Sequence, residues 1–153
     1  MNNEPRLERS RRNLPHWVLN GSCYFITFRI RSGVLTPEER LIVLKRFQEG
    51  DGHFYRLAGV VIMPDHVHAI LRPLDGYSLS RILKGVKGTS ARLINQHRGI
   101  QGTLWQDESW DRIVRDEAEF REKMLYLAHN PVKAGLVGCI DDYPYCYFSP
   151  EIN

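Results

Sequence analysis

The chain of 153 residues contains only three cysteines, Cys23, Cys139 and Cys146. Their odd number and the lack of any CxxC spacing suggest neither a disulfide framework nor a cysteine zinc site, and three reduced thiols are expected. No apolar run approaches the roughly 18 to 20 residues that cross a bilayer. The opening MNNEPRLERSRRN leads into no apolar signal segment, so the expectation is a soluble cytoplasmic protein with no membrane partner. A Walker-type glycine loop, an internal repeat and a low-complexity tract are also missing, and with them any support for an ATP site or a solenoid. Net charge is low as well, +3 with a pI near 8.8. That permits a polyanionic partner without demanding one.

With 42% of its residues hydrophobic, the chain can bury one core. A single domain over residues 16–153 is expected, behind a basic arm of residues 1–15. Charge is unevenly distributed. Arg6, Arg9, Arg11 and Arg12 crowd the arm, Arg81, Lys84, Lys87, Arg92 and Arg98 recur mid-chain, and Glu117, Glu119 and Glu122 gather further on.

CYFITFRI at 23–30 is aromatic and β-branched and reads as a strand. Thr36-Pro37 offers an N-cap with proline at the first helical position, opening a helix that Gly50 closes. Residues 54–62 and then HVHAILR read as two strands, and the short Met63-Pro64-Asp65 connection makes them an antiparallel hairpin. In SLSRILKGVKGTSARLINQHRG, Leu79, Ile82, Leu83, Val86, Leu93 and Ile94 share one arc of a helical wheel with the basic residues opposite. Gly85 and Gly88 suggest a kink or a close contact there. LWQDESWDRIVR holds a fourth strand, and DEAEFREKMLYLAHN a third helix that Pro131 is expected to end. The order β-α-β-β-α-β plus a helix predicts an α+β fold, a ferredoxin-like antiparallel sheet with an added C-terminal helix. Many unrelated activities share that architecture, so function has to come from a site.

His66-Val67-His68 lies in a strand, where alternation puts both imidazoles on one face about 6 to 7 Å apart at the Cα level. Two neutral imidazoles can then converge on one cation, although an HxH pair is equally at home on a solvated strand face. Tyr126 and Asn130, four residues apart, are neighbours on the third helix, off the buried stripe of Phe120, Met124, Leu127 and Ala128.

Several segments carry a resemblance. MPDHVHAIL, LWQDESWDRIVRDEAEF and YLAHNPVKAGLV resemble successive motifs of the REP-associated tyrosine transposases, within the HUH family of single-strand DNA endonucleases and transposases. RRNLPHW, YFITFR and SLSRILKGVKG also resemble that family, so the likeness runs from about Arg11 to Tyr143. It implies that Tyr126 is the nucleophile of a strand transferase, that the added helix is catalytic, and that His66, His68 and Asn130 hold Mg²⁺ or Mn²⁺. It further implies single-stranded or hairpin DNA as the partner and an association with the nucleoid. A monomer is expected, with a homodimer as the alternative. Arg6, Arg9, Arg11, Arg12, Arg81, Lys84, Lys87 and Arg92 become candidates for phosphate contacts, and Trp17, Trp105, Trp110 and Tyr77 for base stacking. The alternatives are a domesticated hairpin-binding protein with little cleavage and a small-molecule metal hydrolase.

Overall fold

The computed structural model describes Val18 and residues 23–152. Alternating aromatic and β-branched side chains form β1 (Tyr24–Ile30). Helix α1 (Pro37–Gly50) opens on a capping box, in which the Thr36 hydroxyl accepts from the Glu39 N–H and the Glu39 carboxylate accepts from the Thr36 N–H. Strands β2 (Tyr55–Ile62) and β3 (His66–Pro73) form the expected antiparallel hairpin, closed by the Met63 N–H donating to the His66 carbonyl at 2.8 Å. Helix α2 (Leu79–Arg98) starts at Ser78 and stops at Gly99, whose φ of 68° suits a residue without a Cβ. Strand β4 (Trp105–Ile113) and helix α3 (Glu117–Lys133) follow, and β5 (Cys146–Phe148) closes the order.

All pairings are antiparallel and the strand order is β4-β1-β3-β2-β5. The first four strands are the ferredoxin-like arrangement anticipated above. Strand β5 is an addition that three residues, CYF, gave no periodicity to announce. Two other expectations are corrected. Helix α2 runs unbroken through Gly85 and Gly88, where a Cβ would meet nothing within 4 Å, so neither glycine marks a close contact. Helix α3 continues past Pro131 to Lys133. The proline ring removes one donor near the helix end, and the last turn closes through the Ala134 N–H to the Asn130 carbonyl.

Alternation along the strands divides the interior. Ile26, Phe28, Val60, Val67, Ala69 and Leu71 pack with Val43, Phe47, Ile82 and Val86 beneath α1 and α2. Ala58, Val61 and Ile70 face the other way, against Phe120, Met124, Leu127 and Ala128 of α3. The sheet therefore separates the basic helix α2 from α3. No helix among the described residues is long and apolar enough to cross a membrane.

Glu39 ties the larger layer together. Besides capping α1 it accepts from Arg98 Nε at 2.7 Å and from an Arg98 terminal nitrogen at 2.9 Å, at the end of α2. Glu39 is 1% exposed and Arg98 26%, so the pair is only partly screened. Hydrogen bonding to Arg98, opposed by burial, holds the Glu39 carboxyl below its ordinary range. Glu39→Gln should cost about 2 kcal/mol in urea unfolding at neutral pH. Because the native pKa is depressed, the bonus is complete above the ordinary glutamate value of about 4.3 and is lost as pH falls through the native value. Thermal midpoints of wild type and variant should therefore converge in acid.

Candidate functional site

On β3, His66, His68 and Ile70 face α3 while Val67, Ala69 and Leu71 face the larger core. The two imidazoles lie edge to face, centroids 4.7 Å apart. Each ring is held at Nδ1. Asp65 Oδ1 lies 2.6 Å from His66 Nδ1, so the carboxylate accepts the proton there and fixes the ring with Nε2 turned away from Asp65. Thr27 Oγ1 lies 2.8 Å from His68 Nδ1, as β1–β3 pairing requires, since Thr27 is the Cα partner of His68. Burial, reinforced by the charges of His66 and Arg29, pushes His68 down to about 3 and keeps it neutral. The hydrogen bond from His66 leads the causes that hold the Asp65 carboxyl below its usual range.

Tyr126 stands 48% exposed on α3, off the stripe that packs on the sheet. Its ring meets that of His68 at 5.3 Å and that of Phe25 at 5.9 Å, both edge to face. Phe25 in turn stacks on His68, centroids 5.5 Å apart and 20° from parallel. Lys123 Nζ lies 5.2 Å from the Phe25 centroid and 6.0 Å from that of Tyr126. Asn130 is half-buried one turn beyond Tyr126. His66, His68, Tyr126 and Asn130 are the residues expected from the sequence; Thr27, Phe25 and Asp65 are additions that the structure supplies. Thr27 and Phe25 reach the site only through strand register, which local spacing does not encode; Asp65, adjacent to His66, reads in the sequence only as a turn residue.

Three other tyrosines, Tyr24, Tyr55 and Tyr143, are engaged elsewhere. Tyr55 and Tyr143 donate their hydroxyls to the carbonyls of Phe47 at 2.7 Å and Ile62 at 2.6 Å. Tyr24 packs against the opposite core.

The polar periphery divides by face. Arg81, Lys84 and Arg92 are exposed on α2, across the sheet from the histidines. Lys87 is spoken for: its ammonium donates to the Gln106 carbonyl at 2.8 Å and to Ser109 Oγ at 3.0 Å, tying α2 to β4. Arg6, Arg9, Arg11, Arg12 and Trp17 lie outside the described residues. Among the stacking candidates, Trp105 is corrected to a core residue, 3% exposed, with its indole N–H donated to Ser90 Oγ at 3.0 Å. Tyr77 is half-buried near α1 and α2, edge-on to Phe54. Trp110 is 50% exposed. It is the Cα partner of Thr27 and so sits in one cross-sheet row with Thr27 and His68, on the α3 face.

A family model described as "Transposase IS200 like" matches residues 26–114, more than half of the chain. The chain belongs to this transposase family, a family of enzymes. The matched span includes His66 and His68 and ends before α3, so the placement of Tyr126 rests on the geometry above. Among relatives, a REP-associated tyrosine transposase of Escherichia coli K12 is 22% identical over 140 residues, covering 89% of this chain and 82% of that protein. A Haemophilus influenzae protein provisionally described in the same words is 25% identical over 109 residues, covering 65% of this chain and 62% of its own length. The solved structure of a REP-associated tyrosine transposase bound to a REP hairpin superposes with a TM-score of 0.64 at 22% identity, covering 82% of this chain and 76% of that one. That likeness bears on the fold.

The contrast between engaged and free tyrosines is measurable. Tyr55→Phe leaves a buried carbonyl without its donor and should cost about 1 to 2 kcal/mol. Tyr126→Phe, at a half-exposed ring, should stay within about 0.5 kcal/mol of wild type in the same urea titration.

Proposed function

We propose that this protein cuts and rejoins single-stranded DNA beside a hairpin, using Tyr126 as the nucleophile. The observation that carries the reading is the contact between the Tyr126 ring and His68, within one cluster that includes His66. Attack by Tyr126 Oη on the scissile phosphorus forms a phosphotyrosine ester, breaks the bond to the 3′-oxygen and releases a 3′-hydroxyl, leaving the 5′-phosphate on the enzyme. One phosphodiester replaces another, so a second 3′-hydroxyl can reverse the step onto a different strand without ATP.

The donor set fits a divalent cation. Both imidazoles are anchored at Nδ1, His68 is neutral, and the Asp65–His66 and Thr27–His68 contacts are the kind of outer support that orients metal-bound histidines. In this reading the Asn130 amide oxygen, one turn beyond Tyr126 on α3, is the third donor. Held by His66, His68 and Asn130, Mg²⁺ or Mn²⁺ would supply positive charge to a non-bridging phosphate oxygen; two nitrogen donors favour Mn²⁺. Trp110, exposed beside Thr27, suits stacking of a flanking base. Hairpin DNA is carried to this chain from the related protein bound to a REP hairpin, and a monomer suffices because His66, His68, Tyr126 and Asn130 all come from one chain.

The test is incubation with hairpin oligonucleotides bearing a single-stranded flank. Wild type should form a covalent adduct of slow gel mobility. Tyr126→Phe should bind the hairpin and form none, and His66→Ala, His68→Ala or EDTA should abolish the adduct. Undiminished cleavage by Tyr126→Phe would defeat the reading. Thr27→Val, which removes the His68 support, should weaken Mn²⁺ binding in calorimetry by about 10- to 100-fold.

The arginines of the N-terminal arm enter the same proposal as phosphate contacts. Losing two or three contacts flattens the slope of log affinity against log salt by roughly 1.4 to 2.1 for a single strand. Deleting residues 1–12 should therefore weaken hairpin binding most at low salt while leaving the thermal midpoint unchanged. Parallel salt plots of equal affinity would remove the arm from the interface.

A further inference from the structure

One cation beside Tyr126 is held on aromatic rings. His66 and His68 bring imidazoles to the site from β3, and Asn130 an amide from α3. The Asp65 carboxylate is spoken for by His66 Nδ1 and lies in the field of Arg29, which is paired opposite His66 in the β1–β3 register. Glu119 is taken by Arg112 at 2.9 Å. Beside Tyr126 on α3 stand the exposed Glu122, four residues earlier, and the ammonium of Lys123, three residues earlier. No carboxylate among the described residues pairs with it. Its position is nevertheless defined, by the faces of Phe25 at 5.2 Å and Tyr126 at 6.0 Å. An aromatic face holds a cation without neutralising it, so the full charge stays available to an incoming anion.

We propose that Lys123 is a catalytic residue of the Tyr126 reaction, contacting a non-bridging oxygen of the scissile phosphate and stabilising the charge that builds there. The inference rests on the strand-transfer reading above. In the step, the Tyr126 Oη–P bond forms, the P–O3′ bond breaks, the phenol proton leaves Oη and a proton ends on the released 3′-oxygen. Lys123 exchanges no proton and acts through charge alone. Phe25 is its positioning residue: one ring supports the His68 imidazole by stacking and Lys123 by cation–π contact, fixing the cation relative to the proposed metal ligands. A solvated surface lysine would need no such platform.

The experiment compares wild type, Lys123→Met, Lys123→Arg and, as a control for the overall field, Lys45→Met, which changes an exposed residue on α1 across the sheet. The substrate is the flanked hairpin with Mn²⁺, and both single-turnover adduct formation and equilibrium hairpin binding are read. Removal of one preorganised charge-stabilising group costs about 100-fold in rate, so Lys123→Met should slow adduct formation by that order. Hairpin affinity should change by less than about threefold, one contact among several. Lys123→Arg should recover most of the rate, and Lys45→Met should match wild type. A Lys123→Met rate within about twofold of wild type, or an equal loss in Lys45→Met, would overturn the assignment while leaving the Tyr126 chemistry standing. Absence of any adduct with the wild type would overturn the reaction and the role of Lys123 together. Thermal midpoints of the variants separate a rate effect from a folding defect.

Discussion

The site depends on the alternation of β3, the strand paired on both edges at the centre of the sheet. Val67, Ala69 and Leu71, all fully buried, lock one face of this strand into the core beneath α1 and α2. The same lock delivers His66 and His68 to the other face. A slip of one residue would bury the imidazoles among aliphatic side chains and turn Val67 and Ala69 toward α3, so the cost of slipping is the loss of a core. The spacing of the histidine pair is thus stabilised by residues that never touch it.

The neighbouring strands then complete what β3 begins. Thr27 and Trp110 join His68 in one row because β1 and β4 pair in fixed register, and Phe25 stands two residues along β1 from Thr27. A histidine 4% exposed would ordinarily be a liability. Here the Thr27 hydroxyl satisfies one nitrogen and the Phe25 face covers the ring, so burial selects the neutral form. Rigid support of this kind is what a site needs to hold a reactive geometry. Lys87 shows the converse: a residue that reads as a phosphate contact by charge alone serves as a strut once its ammonium is enclosed by β4 carbonyls.

Local signals were legible wherever chemistry and sequence neighbourhood coincide. The Thr36-Pro37 cap, the Met63-Pro64-Asp65 connection and the displacement of Tyr126 from its helical stripe all depend on residues within about one turn of each other. What stayed hidden depends on distance along the chain. Thr27 finds His68 across 41 residues, Trp105 is drawn into the core by Ser90 and Phe28, and β5 exists because β2 offers it an edge. Pro131 shows the limit of a local rule: a missing donor near a helix end is tolerated when the following residues close the turn.

Strand β5, the element with the weakest sequence signal, bears on the part of the site that was easiest to see. Gly59 on β2 is paired with Phe148 of β5, and a Cβ at that glycine would lie 3.0 Å from Phe148 Cδ1 and 3.2 Å from Met124 Cε. The missing side chain therefore lets Met124 of α3 sink against the sheet, with Phe148 beside it. Tyr126 follows Met124 by two residues on the same helix, so the seating of Met124 in the core helps place the helix that carries the Tyr126 ring. A side chain at position 59 would press on Phe148 and on the end of the Met124 side chain, which would have to give by a few tenths of an ångström. The helix that carries Tyr126 to His68 is in this sense seated by a backbone position on β2 and by the short strand β5 beside it.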